Sequence, residues 1–484
     1  MKGFRVLALF LSLGFLSACS NEMILPDVPN NPPAGKFVSI SLEERVSLAM
    51  SHAQTLSSEE ASTMLNGFLK GLPDTELSGR DFSIRLKETE YISSDGAARR
   101  SQPGQAQDIP FYRFEVVSGA GKGFAVVSGD GRCPGVVGYV PRGNLDSLAV
   151  CADASMMMRA SELFVLIEVN RVQHLVDSLK DKTIEKVSAH FPDVEITEDN
   201  VCDYVLTKND SYLLNSFLEY RRPGYSTYKA PDTYLYYNEG RHITTQWHQE
   251  APYNGLLPQS YRPSGGTNVL GNYPLGSGVV ATMQVLGYLQ PYMKVDGKTM
   301  DWDRLTADCG TGGDGSQEET DMMQALAKYV YEETNTVPDI VADIQYGPDD
   351  DRGIPVVMSS STQAVDLTAF LNRYLQCDDL CEWGSSDTML HAIRGKHVSI
   401  IGGTSLRGTS HACIMDGYAI FRKSTREIAS QYDFYIHTNM GMSDGEYAGY
   451  YRIDRNLNIS AELKKYGSAV SNKNFWVISD IRPK

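Results

Sequence analysis

The stretch SHACIMDGY, from Ser410 to Tyr418, decides the fold of this chain when it is read together with FYIHTNMG, from Phe434 to Gly441. Both are short apolar runs of the kind that form buried strands. The first run carries a histidine, His411, and the second carries an asparagine, Asn439. An imidazole that serves as a base and an amide that orients it are parts of a nucleophilic hydrolase site. The two runs therefore predict strands that carry catalytic groups.

The C-terminal half of the chain resembles the streptopain family of papain-like cysteine peptidases. Four motifs carry the resemblance, and their order along the chain is more specific than any one of them. WHQEAPYN (247–254) is similar to the family's Gln-x-x-Pro-Tyr-Asn, MDWD (300–303) to Tyr-Asp-Trp-Asp, SHACIMDGY (410–418) to the histidine-bearing hairpin, and NMGM (439–442) to Asn-Trp-Gly-Trp. The resemblance implies an α+β fold, in which a papain-like C-terminal domain has a helical part and an antiparallel sheet. It also implies peptide or protein substrates and no cofactor.

The resemblance gives four positions a catalytic role. Gln249 would donate its amide to the developing oxyanion, His411 would act as the base, and Asn439 would orient the imidazole. The nucleophile belongs at the start of a helix, either at Gly276-Ser277 or, in a second register, at Gly278-Val279. The first register is preferred because it also matches Ala281, Gln284, Val285, Leu286 and Tyr288. Neither register supplies a cysteine.

Serine at position 277 changes the chemistry of the site. A thiol near a helix N-terminus and a histidine ionises readily, whereas a hydroxyl has a far higher pKa and needs a base throughout the attack. The two tryptophans of the Asn-Trp-Gly-Trp motif are also replaced, by Met440 and Met442, which would shield a His–Asn hydrogen bond less specifically. Both departures predict a catalytically impaired site.

Each candidate residue also has a purely structural alternative. Ser277 is a good N-cap for the predicted helix at 277–290, and His411 could be a satisfied core histidine. Cys413 shares a strand face with His411, but it lies on the wrong element for a nucleophile and suits a buried thiol. A structural role is also expected for His437 on its apolar strand.

The cysteines and acidic loops do not predict a metal site. Cys377 and Cys381 are close enough to form a local disulfide, or they are two core thiols, and no second pair at suitable spacing suggests zinc. The acidic loops at 308–314 and 349–351 do not follow a known calcium-ligand spacing, so solvated loops are expected.

The first 36 residues predict export. Lys2 and Arg5 flank the start of an apolar run that is too short to span a membrane, and LSAC (16–19) resembles the lipobox of bacterial lipoproteins. This pattern predicts a signal peptide at 1–18, lipidation of Cys19, and a proline-rich tether at 19–36 that links the protein to a membrane. The expected location is the cell envelope, at the outer membrane or surface of a Gram-negative bacterium, with secretion as the alternative.

Residues 37–225 predict an α+β unit in front of the peptidase-like domain at 226–484. The unit is similar to the family's pro-domain, most clearly in GFAVVSGD (123–130). That similarity implies a unit that lies over the cleft until it is cleaved away. A largely helical stretch from about 156 to 218 is additional to the pattern, and the polar segment 221–226 marks the boundary.

Composition narrows the possible functions. The chain has 484 residues, 42% of them hydrophobic, and a net charge of -16, which opposes a nucleic-acid partner. The sequence favours an exported pseudopeptidase that retains a peptide-binding cleft. Two alternatives stay open: an active endopeptidase that uses Ser277, His411 and Asn439, and a surface adhesin or protease-inhibitor module.

Overall fold

The computed structural model describes most of the chain after residue 36. The described ranges are 37–73, 81–92, 98–100, 108–148, 152–207, 233–264, 267–307, 315–345, 354–382, 391–404, 410–423, 432–453 and 476–484. The signal peptide, Cys19, the tether, the boundary near residue 225 and both acidic loops lie outside them.

The N-terminal part begins with a short strand, two helices and five further strands, and it then forms one long helix. Its elements in chain order are β1 (Val38–Ile40), α1 (Leu42–Ala49), α2 (Ser58–Gly71), β2 (Phe82–Ile92), β3 (Ala98–Arg100), β4 (Ile109–Ser118), β5 (Gly121–Ser128), β6 (Gly135–Val140), α3 (Leu145–Leu148), α4 (Ala152–Ser188), a 3-10 helix (Val201–Tyr204) and β7 (Val205–Thr207). Residues 42–71 form two helices rather than one, because Ser57 and Glu60 form a capping box that starts the second.

The C-terminal part places its helices before most of the strands of its sheet. Its elements are β8 (Thr233–Gly240), β9 (Gln259–Ser264), β10 (Thr267–Asn272), α5 (Ser277–Leu289), β11 (Lys294–Val295), β12 (Lys298–Thr299), α6 (Trp302–Leu305), α7 (Gln317–Glu333), β13 (Val337–Gln345), β14 (Ile354–Ser361), α8 (Ala364–Tyr374), β15 (Leu375–Gln376), β16 (Cys381–Glu382), β17 (Val398–Thr404), β18 (Ser410–Lys423), β19 (Tyr432–Asn439), a 3-10 helix (Ser443–Gly445), β20 (Gly449–Ile453) and β21 (Trp476–Pro483). This arrangement confirms the predicted α+β class.

One large antiparallel sheet runs through both parts of the chain. The strand order along it is β15-β21-β17-β18-β19-β20-β6-β5-β4-β2-β3, with β16 paired to β21 and β8 paired to β18. The two parts meet where β20 pairs with β6, with Tyr450 opposite Tyr139 and Tyr451 opposite Gly138. The N-terminal strands therefore extend the C-terminal sheet directly.

The helical layer of the C-terminal part packs on one face of this sheet. Helix α5 lies at its centre, and residues 278–287 of that helix are all buried. Ala412 and Ile414 of β18 pack into the same core as α5, α7 and α8. An all-round apolar helix of this kind is stable only when neighbours cover it on every side.

Helix α4 covers the opposite face of β18. It has 37 residues, and Met157, Val165 and Val169 are fully buried in a core that also contains Cys413 and Met415. The additional stretch predicted as largely helical from about 156 to 218 is helical only as far as Ser188; a 3-10 helix and β7 follow, and residues 208–218 lie outside the described ranges. Its helical part is a second cover for the central sheet. No helix in the described ranges is both long enough and apolar enough to cross a membrane.

A smaller sheet of four strands lies beside α5, in the order β10-β9-β14-β13. Its strand β14 reaches the start of α5, because the Ser360 hydroxyl donates to the Pro274 carbonyl at 2.6 Å. This contact fixes the backbone that leads into the helix.

Candidate active site

The backbone before α5 turns sharply at Gly276. Its φ is +85°, in the region that favours glycine. A Cβ placed there would lie 2.4 Å from the Ser360 carbonyl oxygen, which is closer than real side chains approach. Glycine at this position therefore lets the chain enter the helix under β14, and Ser277 becomes the first helical residue.

Ser277 does not cap its own helix, so the predicted N-cap role is wrong. The N-cap is Gly276, and no side chain caps the helix. The Ser277 Oγ instead accepts the backbone N–H of Ala412 at 3.0 Å. This hydrogen bond joins the start of α5 to the residue that follows His411. Positions 277 and 411 are thus neighbours in space, although 134 positions separate them in the sequence.

His411 lies near the beginning of β18, where it pairs with Gly403 of β17. Its side chain is buried, with 3% relative exposure. Strand alternation puts it on the same side as Cys413, and Cys413 packs into the core under α4. Cys413 is completely buried, as expected for a core thiol.

Asn439 is held by three hydrogen bonds. Its Nδ2 donates to the Thr245 carbonyl at 3.0 Å and to Gln284 Oε1 at 2.8 Å. Its Oδ1 accepts the N–H of Gly441 at 2.9 Å. The role that the structure gives Asn439 is therefore to brace the chain between β19, α5 and residue 245, and its orienting role toward His411 remains a prediction.

Gln249 lies close to the helix start through its backbone. The N–H of Leu275 donates to the Gln249 carbonyl at 3.0 Å. Leu275 is two residues before Ser277, so the predicted oxyanion residue and the predicted nucleophile position are on adjoining segments. The Gln249 side chain is partly exposed, as a group that must reach a bound ligand needs to be.

Sequence reasoning missed the role of Gln284. This side chain is completely buried in the middle of α5. Its Nε2 donates to the Trp247 carbonyl at 2.9 Å, and its Oε1 accepts from Asn439 and from the Thr245 hydroxyl. The signal was a glutamine inside an apolar helix, because a buried amide needs partners for all its polar atoms.

A buried carboxylate, Asp416, was also missed. Its Oδ1 lies 2.6 Å from Nδ1 of His437, and its Oδ2 accepts the N–H of Ile243 at 3.2 Å. Both side chains are buried. This pairing accounts for the structural role that was expected for His437.

Asp416, Asn439 and Gln284 together fix one stretch of backbone, which we call the 242–249 segment. They bind it at residues 243, 245 and 247 respectively. The segment ends at the carbonyl of Gln249, which accepts from Leu275. Three buried polar side chains therefore set the position of the predicted oxyanion residue relative to the start of α5.

We expect Asn439→Ala to lower the free energy of unfolding by about 2 kcal/mol, because truncation removes three buried hydrogen bonds, to Thr245, Gln284 and Gly441. Urea unfolding of both proteins measures this difference. The matched control is Asn372→Ala, since Asn372 is exposed on α8, and it should change stability by less than about 0.5 kcal/mol. Equal effects at the two positions would contradict the bracing role.

The other singled-out residues include one cysteine and two methionines. Cys377 carries a free thiol that donates to Asn372 Oδ1 at 3.4 Å, so the alternative of a local disulfide with Cys381 is wrong. Met440 is buried against the core under α4, and Met442 packs beside it. Among the described residues, no group of three or more histidine, cysteine, aspartate or glutamate side chains could hold a metal ion.

The surroundings of position 277 suit a negatively charged atom. The N–H of Ala412 points at the side-chain oxygen, and the N-terminus of a 13-residue helix lies behind it. Both features stabilise an anion. A thiol exploits such surroundings because it ionises near neutral pH, but a serine hydroxyl stays protonated there.

Comparison with protein-family models matches residues 247–451 to the Peptidase C10 family. The matched range includes all four sequence motifs and the whole of α5. A search of curated proteins finds no match to this chain.

Proposed function

Because this chain belongs, through residues 247–451, to the Peptidase C10 or streptopain family, we propose that it is a pseudopeptidase that binds extended peptides. It keeps the cleft between the helical layer and the sheet, and it lacks efficient hydrolysis. The proposal covers ligands of the peptide or protein class, as the family implies. It needs no cofactor.

One observation carries the proposal. A hydroxyl, that of Ser277, lies at the start of the central helix and accepts the N–H of Ala412, the residue after His411. Val279, the nucleophile position in the second register, is completely buried in the core, which supports the first register. Position 277 thus keeps the helix N-terminus and the backbone N–H that suit a thiolate, and the ionisable sulfur is the missing part.

A second candidate function is an active serine endopeptidase. The hydrogen bond between Ser277 and the residue after His411 favours it, because it brings the hydroxyl to the strand that carries the candidate base. In this alternative Ser277 attacks, His411 takes the proton, and Gln249 supports the oxyanion. Inhibition of a related protease or surface adhesion would use the same fold without hydrolysis.

We also propose that the protein is exported and anchored by a lipid on Cys19, at the outer membrane or cell surface. The LSAC sequence at 16–19 and the proline-rich tether support this location. Incorporation of radiolabelled palmitate in growing cells tests it, and label retained in Cys19→Ser would contradict it.

Peptide binding gives a direct test of the retained cleft. Wild type and Ser277→Ala should bind fluorescein-labelled casein peptides with the same affinity, because neither side chain fills the cleft. Ser277→Trp should weaken binding at least about 10-fold, which corresponds to about 1.4 kcal/mol, by occupying the helix start. Fluorescence anisotropy measures all three proteins.

The matched control for that experiment is Thr299→Trp, because Thr299 is exposed on β12. It should bind like wild type. The proposal is wrong if Ser277→Trp binds as tightly as this control, and it gives way to the endopeptidase if wild type cuts the labelled peptides.

A further inference from the structure

We propose that the N-terminal unit is a permanent partner of the C-terminal domain, and that it stays bound even when the chain between them is cut. By N-terminal unit we mean α1 to β7, residues 37–207 as described. This inference goes beyond the proposed function, and it differs from the removable pro-domain that the family resemblance implies. It rests on three features of the contact between the two parts.

The first feature is the continuous sheet. Strand β6 of the N-terminal unit pairs with β20 of the C-terminal domain at two positions. The backbone contact continues beyond the strands, because the N–H of Tyr447 donates to the Arg142 carbonyl at 2.8 Å. If the unit left, β20 would become an edge strand with unpaired backbone groups.

The second feature is an aromatic core that both parts build together. Phe68 of α2 stacks on Phe421 of β18 at 4.3 Å between ring centroids, and it contacts Tyr435 of β19 at 5.0 Å. All three side chains are buried in one core that also contains Tyr139 and Tyr450. Loss of the N-terminal unit would expose two large rings of the C-terminal domain to water, which the hydrophobic effect opposes.

The long helix extends this shared core to the other face of the sheet. Met156, Leu163 and Leu166 of α4 are buried together with side chains of β18, β19 and β20. The C-terminal members of that core include Met415, Tyr418, Ile436, Met440, Tyr447 and Tyr451. The N-terminal unit therefore covers apolar surface on both faces of the C-terminal sheet.

The third feature is a buried ion cluster that closes only with both parts present. Asp433 binds Lys423 at 2.8 Å and Arg452 at 2.5 Å, and each of these side chains is at most 3% exposed. The N-terminal unit seals the cluster: the Pro134 carbonyl accepts from Arg452 at 3.4 Å, and the ring of Phe164 lies 5.4 Å from its guanidinium.

The N-terminal unit packs closely against this ion cluster. A Cβ on Gly135 would lie 3.0 Å from both Arg452 Nη1 and Asp433 Oδ2. The Tyr435 hydroxyl also donates to the Val136 carbonyl at 2.8 Å. A buried ion cluster adds little stability by itself, because its charges would be well hydrated if the two parts separated. We therefore attribute the binding of the two parts to the apolar cores and their relative orientation to the cluster.

The test introduces a specific cut between the two parts. A recognition sequence for a site-specific protease is inserted between Gly224 and Tyr225 of the full chain, and the purified protein is cleaved in detergent buffer. At about 1 μM, where only complexes tighter than micromolar persist, the two fragments should elute together from a size-exclusion column. They should separate after the addition of urea.

Separate elution of the N-terminal fragment in native buffer would overturn the proposal, whether the C-terminal fragment then stays soluble or precipitates. Elution of the fragments does not measure peptide binding or hydrolysis. A failure here is therefore distinct from a failure of the proposed function.

A matched pair of variants shows whether the shared core causes the retention. Phe421→Ala removes a ring at the contact, and Phe370→Ala removes a ring of the same size from the core around α8. In the cleaved protein, Phe421→Ala should raise the dissociation constant of the fragments at least about 10-fold more than Phe370→Ala. If Phe421→Ala does not fold before cleavage, Phe421→Leu replaces it, and equal effects at the two positions would contradict the assignment.

Discussion

Replacing Ser277 with cysteine should create a thiol that reacts with iodoacetamide about 100-fold faster at pH 6 than an ordinary cysteine. The reason is that each unit of lowered pKa gives about 10-fold more thiolate in this range, and a shift of about two units is usual beside a helix N-terminus and a histidine. The N–H of Ala412 already points at this side chain. The rate against pH, followed by mass spectrometry of the modified peptide, measures the pKa of the new thiol.

The chain provides internal controls for this measurement. Burial raises the pKa of the Cys133 and Cys377 thiols to about 11, so these two should react slowly at the same pH. The assignment of position 277 as the nucleophile position predicts that His411→Ala in the Ser277→Cys background raises the pKa of the new thiol, because a histidine close to a thiolate stabilises it. A new thiol with an ordinary pKa, unaffected by His411→Ala, would contradict the assignment of position 277.

Asp433→Asn should lower the free energy of unfolding by about 3–5 kcal/mol, since it leaves the buried charges of Lys423 and Arg452 without their carboxylate. Burial lowers the pKa of Lys423 in the folded protein. Burial acts in the same direction on Arg452, where the attraction of Asp433 outweighs it and raises the pKa. Urea unfolding near neutral pH measures the loss.

The pH dependence of this variant has a definite sign. A lysine whose pKa is lower in the folded than in the unfolded chain opposes folding at low pH, and this penalty falls as pH rises toward the unfolded value. The loss in free energy of unfolding caused by Asp433→Asn should therefore be smaller at about pH 9 than at about pH 6. The control is Glu332→Gln, which removes an exposed pair with Lys328 and should change stability by less than about 0.5 kcal/mol.

Local sequence patterns predicted the elements that carry the candidate site. The predicted helix at 277–290 is α5, and the apolar runs at 410–418 and 434–441 fall on β18 and β19. These segments are apolar and bounded by turn residues, so local signals suffice. Strands β9, β10 and β13 are not predicted, because Pro263, Gly271 and Pro338 are typical of loops or strand edges.

The contacts between distant segments could not be predicted. The pairing of β6 with β20 joins residues about 310 positions apart, and nothing near Tyr139 or Tyr450 specifies the partner. Ser277 has the sequence features of an N-cap, yet its hydroxyl accepts from Ala412, because β18 brings a backbone N–H there. The bracing of the 242–249 segment by Gln284 depends equally on tertiary structure.

The resemblance to a known family supplied what local patterns could not. It identified Gln249, position 277, His411 and Asn439 as one site. In the structure the Ser277 Oγ accepts the backbone N–H of Ala412, the residue after His411. It also led to the expectation that Asn439 orients the imidazole. The observed partners of the Asn439 side chain are Thr245, Gln284 and Gly441. An orienting role of Asn439 toward His411 stays a prediction.

Casein hydrolysis by purified wild type and Ser277→Ala is the most direct test of the central claim, namely that a peptidase scaffold has oxygen where its relatives use sulfur. Peptides should be released from casein no faster with either protein than in buffer alone. Ser277→Cys is included as the variant that could gain activity. Turnover by wild type that Ser277→Ala abolishes would contradict the claim and establish a working serine peptidase.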